Sequence, residues 1–129
     1  MDDKSHYELG MNVRRKVLGD SHVNRTLDNL NPFNSEFQDF ISRYAWGEIW
    51  TRPGLDHPMR SMITIAMLIA LNREAELKLH LRAAVHNGVT RDELKELIMH
   101  SARYCGLPAA NATMHLAQQV FDELDAESP

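Results

Sequence analysis

Arg73, Glu76 and His80 lie three and four residues apart in the stretch NREAELKLHLRAAVHNG, residues 72–88. In a helix that spacing puts all three side chains on one stripe. At about 100° per residue from Arg73, Leu77, Leu81 and Ala84 fall at roughly 40°, 80° and 20°, and Ala83 at about 280°. Glu76 and His80, at about 300° and 340°, share that apolar sector. Glu74, Lys78 and Arg82, at roughly 100°, 140° and 180°, form the solvent face. A carboxylate, an imidazole and a guanidinium on a buried face cost several kcal/mol unless they are paired.

Two readings of the stripe stay open on these residues. In one, Arg73 and His80 both pair with Glu76 in a satisfied network that fixes helix contacts. In the other, Glu76 and His80 are an acid/base pair with pKa values moved toward neutrality, suited to proton transfer. A metal site is weaker, because His80 and His86 point to different sides and no further ligand set has metal spacing. No metal is therefore expected. The segment GEIWTRPGLD, 47–56, gathers Glu48, Trp50, Arg52 and Asp56 around a Pro53-Gly54 turn. It reads equally as a pocket wall or as a surface loop with a docked tryptophan.

The elements that must position these residues are all helical. Period-two alternation is absent, and Ala, Leu, Glu, Met and Arg favour helix. The pattern predicts helices near 3–18, 22–30 and 34–45, then one with Pro58 in its first turn that runs to about Leu71. A fifth has Asn72 as N-cap and Gly88 past its end. TRDE at 90–93 has the capping-box pattern and opens a sixth that ends near Gly106, and Pro108 opens a seventh to about Leu124. The fourth, MRSMITIAMLIAL, is apolar almost all round after Ser61, which in so small a chain predicts a homo-oligomer as well as a core.

Composition narrows the class. The 129 residues, 43% hydrophobic and 25% charged, suit one globular domain, 1–129, with a single core. A net charge of -4 argues against nucleic acid as a partner. Cys105 is the only cysteine, so no intrachain disulfide can form. The N-terminus lacks signal-peptide character, and the longest apolar run, 62–71, is far too short to span a bilayer, so no membrane association and a cytoplasmic location are expected.

The segments GEIWTRPGLD at 47–56, RSMITIAML at 60–68, REAELKLHLRAAVHNGVTRDELKE at 73–96 and YCGLPAANA at 104–112 resemble the carboxymuconolactone decarboxylase family, and the resemblance covers nearly the whole chain. The wider superfamily includes peroxide-reducing AhpD-like proteins, whose active helix carries C-x-x-C-x-x-x-H. Laid on this chain, the histidine falls on His80 and the two cysteines on Arg73 and Glu76. Dithiol redox chemistry needs both thiols and is thereby excluded. The stripe resembles that active-site face refitted to acid/base chemistry.

The resemblance implies an all-α, AhpD-like bundle of six or seven helices, assembled as a homohexamer. It also implies decarboxylation of γ-carboxymuconolactone, a lactone dicarboxylate of the β-ketoadipate pathway, without any cofactor. His80 is then the expected proton donor, oriented by Glu76. Arg52, Arg60 and Arg73 are expected to hold the carboxylate and oxyanion, with Trp50 and Leu55 giving the departing carboxylate a dry surrounding. Glu48, Tyr104 and Asn111 are expected pocket hydrogen-bonders. Their plainer readings are a surface Glu48, a packing Tyr104 and a capping or interface Asn111. The competing functional class is a non-catalytic helical oligomer that binds small acids.

Overall fold

A computed structural model describes residues 2–128. Every regular element among them is helical, and they divide into two compact units, residues 1–57 and 58–129. No helix among the described residues is long and apolar enough to cross a membrane.

In the first unit, α1 (Asp3–Leu18) starts at Asp2, whose side chain accepts from the Ser5 amide at 2.7 Å and lowers its own pKa through that bond. Helix α2 (Asp20–Asp28) follows after Gly19 alone. Helix α3 (Ser35–Ile41) then runs without a break into a π-helical segment, Ser42–Ile49. Its wider turns close with the Trp50 amide donating to the Ala45 carbonyl at 2.9 Å. Ser42, Trp46 and Trp50 are all buried, a recurrence of four. The predicted 34–45 helix thus extends to residue 49 in a different winding.

Helix α1 and the π segment meet backbone to backbone at Gly10 and Gly47, where a methyl on either glycine would strike the opposing main chain. Arg14, one turn further along α1, is buried and donates to Ser42 Oγ at 3.2 Å and Gln38 Oε1 at 2.9 Å.

The second unit holds the apolar core. Helices α4 (His57–Leu71), α5 (Glu74–His86), α6 (Arg91–Cys105) and α7 (Leu107–Glu127) contribute Ile65, Ile69, Leu77, Leu81, Leu94, Ile98, Ala117 and Val120 to one buried cluster. Leu81, a member of that cluster, has no exposed surface. Leu81→Ala is expected to cost about 2–5 kcal/mol, read as a shift in the urea unfolding midpoint. Across the surface, Lys78 donates to Glu123 at 3.0 Å, and Arg82 bridges Glu123 and Glu127. Lys78 and Arg82, on the predicted solvent face of α5, therefore pair with α7.

Helix ends follow side-chain chemistry closely. Thr90 and Glu93 form the predicted capping box, with both bonds at 2.9–3.0 Å. Asn72 is not the N-cap of α5. It takes a left-handed conformation, φ 57°, and Arg73 occupies the cap. The Arg73 amide donates to Leu68 O and the Asn72 amide to Ile69 O, the two bonds that close α4 in a Schellman turn. Asparagine tolerates that conformation better than most non-glycine residues, so it ends α4 rather than starting α5.

Along α4 only Ser61, Ile65 and Ile69 are buried. Met59, Met67 and Leu71 remain exposed, so the chain covers one side of the helix and leaves an apolar side open.

Candidate active site

Helix α5 carries the central group. Leu77, Leu81, Ala83 and Ala84 are buried, as the periodicity requires. Arg73 and Glu76 are exposed, against the expectation that the whole stripe is buried. The helical angle fixes the sector of a residue but not its depth along the axis. The first turn of α5 projects beyond the core, and Leu77 is the first residue to be covered. His80, one turn deeper, is half-buried and its Nδ1 is closed to solvent.

Burial thus grades along the stripe, from an exposed arginine and carboxylate to a half-sheltered imidazole. Arg60, also half-buried, lies in the first turns of α4.

The segment that follows the π winding carries the other expected residues. Trp50 is buried, stacked at a tilt on Trp46 with ring centroids 4.8 Å apart. His57 lies 5.8 Å from the Trp50 ring, and its Nε2 is 3.2 Å from the Trp50 carbonyl. A carbonyl only accepts, so that nitrogen carries the proton. Arg52 and Leu55 are exposed on the turn between them, and Glu48 is exposed within the π segment. Trp50 is thus anchored in the fold while its neighbours face outward. Trp46 and His57 directly flank the motif that carries Trp50, but neither shows a pattern in the sequence that marks it as part of the site.

Tyr104 and Asn111 fall elsewhere on the second unit. Tyr104 is 75% exposed, with His100 stacked on it at 5.0 Å and the Arg103 guanidinium 5.6 Å above its ring. It is not a core packing residue. Asn111 lies inside α7 rather than at its cap, in an open groove of about 500 Å³ with Met99, Leu107 and Met114. No residue of α5 lines that groove.

The model of the carboxymuconolactone decarboxylase family matches residues 35–119, a span that holds every residue from Glu48 to Asn111 considered above. The chain belongs to the carboxymuconolactone decarboxylase family. Among curated members and relatives, it is 60% identical to 4-carboxymuconolactone decarboxylase of Acinetobacter baylyi over 124 residues, 96% of this chain and 92% of that protein. It is 58% identical to a 48-residue 4-carboxymuconolactone decarboxylase sequence from Pseudomonas putida, over 37% of this chain and all of that sequence. A nitrosuccinic acid decarboxylase of Metarhizium robertsii is 39% identical over 126 residues, 95% of this chain and 88% of that protein. The family's match spans both compact units, from the start of α3 to Gln119 within α7.

Proposed function

We propose that this chain is a cytoplasmic carboxy-lyase that converts γ-carboxymuconolactone into β-ketoadipate enol-lactone and CO2. The observation that carries the reading is its 60% identity, over nearly the full length of both chains, to a 4-carboxymuconolactone decarboxylase. The arrangement of α5 supports it, with arginine and glutamate at the two positions where an AhpD-like enzyme has thiols.

The substrate supplies its own electron sink. Its departing carboxylate is bonded to a ring carbon next to a C=C conjugated with the lactone carbonyl. When that C–C bond breaks, the electron pair moves through the C=C onto the lactone oxygen and CO2 leaves. A proton added to the carbon α to the carbonyl completes the enol-lactone. The protein has to hold the remaining carboxylate, stabilise the dienolate oxygen and deliver that proton.

In this reading Arg52, Arg60 and Arg73 hold the carboxylate and the oxyanion, because planar guanidinium donors match both. His80 gives the proton, and Glu76, one turn earlier on the same face, orients it. Trp50 and Leu55 exclude water from the departing carboxylate. Glu48, Tyr104 and Asn111 have the weaker roles of polar contacts to substrate or to a neighbouring copy. The open apolar side of α4, with Met59, Met67 and Leu71, is covered by assembly into a homohexamer.

The relative named for nitrosuccinic acid points to a shared reaction rather than a shared acid. A nitro group, like a conjugated lactone, accepts the pair released with CO2. For this chain the lactone is the expected substrate. The test supplies lactone made in situ from carboxymuconate by its cycloisomerase, with a chelator present. CO2 release and the ultraviolet change to enol-lactone are expected together. Folded protein that binds the lactone without releasing CO2 would instead be a small-acid-binding oligomer.

A further inference from the structure

The first unit holds a cluster of cationic side chains that the proposed reaction does not use. Arg14 is 6% exposed, yet among the described residues its hydrogen bonds go only to the neutral Ser42 hydroxyl and Gln38 amide oxygen, and its Nε has no hydrogen-bond partner there. Burial pulls its pKa below the ordinary arginine value. A buried guanidinium without a counter-charge is costly to the fold. It calls for an anion nearby.

The bond to Gln38 has a geometric consequence. Arginine only donates, so Gln38 must turn its Oε1 toward Arg14 and its NH2 away. Gln38 also lines a cleft of about 360 Å³, with His22, Arg25, Thr26, Asn29 and Asn34. None of these is acidic. The amides of Asn29 and Asn34 each spend one N–H on the backbone, Asn29 on Arg25 O and Asn34 on Asn29 O, and each keeps a second. The Arg25 side chain is exposed and forms no hydrogen bond or ion pair among the described residues. Of the carboxylates on or beside these helices, Asp20 pairs with Arg15 and Asp39 with Arg43, while Asp28 and Glu36 are exposed and are not among the residues that line the cleft. A cleft walled by donors, backed by an uncompensated buried cation and lacking any acid, has the composition of an anion site.

We propose that this cleft binds a small oxyanion, the carboxylate of an organic acid or inorganic phosphate. Arg25 and the Gln38 amide contact it, and Arg14 supplies charge from behind Gln38. None of the residues lining the cleft belongs to the stripe on α5, and binding there does not depend on the proposed reaction.

His22 reports on occupancy. Its pKa lies below the ordinary 6.5, first through burial and then through the charges of Arg25 and Arg14. The groups lining the cleft around it from α3 and its approach, Gln38 and Asn34, are neutral. A histidine with a depressed folded pKa binds fewer protons folded than unfolded. Its share of stability is present above about pH 6.5 and is lost as pH falls below that toward its folded pKa. A bound anion favours the imidazolium, so it raises the His22 pKa and reduces that loss.

The experiment is an NMR titration of the His22 imidazole in the full-length protein, assigned with His22→Gln, in chloride and then in inorganic phosphate or succinate at equal ionic strength. One of the two anions is expected to raise the His22 pKa and the pH 5.5 melting temperature saturably. Saturation by phosphate alone or by succinate alone supports the site and tells which oxyanion it takes. Arg25→Met, a surface change, should weaken the effect about tenfold or more while leaving lactone turnover intact. An effect that follows ionic strength rather than anion identity, or that survives unchanged in both Arg25→Met and Gln38→Glu, overturns the proposal.

Discussion

His80→Ala is expected to lower kcat for the lactone by about 10²- to 10⁴-fold, the usual contribution of a positioned proton donor. KM should change far less, because the histidine acts on the carbon that gains a proton rather than on the carboxylates that hold the substrate. The proposed mechanism gives the imidazole this role. Its Nδ1 is closed to solvent, and Glu76 precedes it by one turn on the same face. Glu76→Gln keeps the shape and removes the charge, so its effect should be smaller than that of His80→Ala. The measurement is steady-state and single-turnover kinetics of CO2 release for both variants. An unchanged kcat would remove His80 from the mechanism. A raised KM with kcat intact would recast it as a binding residue.

What the sequence discloses here depends on how local the signal is. The capping box at Thr90 and Glu93, the stops at Gly19 and Gly106, and the buried leucines of α5 rest on residues within one or two turns of each other, and all are found as expected. The Arg73, Glu76 and His80 spacing is equally local, so the candidate stripe is legible without coordinates. Its depth is not, because exposure of Arg73 and Glu76 depends on where the core ends along α5. The π winding escapes a reading that assumes 100° per residue. The cleft of His22, Arg25 and Gln38 gathers residues from separate helices and leaves no periodic trace. Asn72 shows a competition between two local signals. The same residue suits a helix start and a left-handed helix stop, and the tight reversal between α4 and α5 selects the stop.

Gly47→Ala tests a contact for which local propensity predicts the opposite sign. Gly47 lies inside a helical segment, where alanine in place of glycine ordinarily favours the folded state by up to about 1 kcal/mol. Here an added Cβ would stand 2.3 Å from the His6 carbonyl oxygen of α1 and 3.2 Å from Ser42 O. Both obstacles are backbone, so no side-chain rotation relieves them and α1 has to move off the π segment. Overpacking of this kind costs about 1–3 kcal/mol and sometimes more, which at this chain length lowers Tm by roughly 5–15 °C. Gly10→Ala meets the same wall from the other side, 1.8 Å from Ser42 O, and should be at least as damaging. Gly54→Ala, in the same motif but with open space around the new methyl, is the control and should leave Tm within about 2 °C. Thermal melts of the three variants decide the matter, and a Gly47→Ala protein as stable as wild type would show that the helices do not touch there. Kinetics should follow stability, because Trp50 is buried directly after the π segment and Arg52 follows it on the exposed turn. Displacing the winding displaces both, so the surviving folded fraction of Gly47→Ala should also lose kcat/KM, whereas Gly54→Ala should retain it.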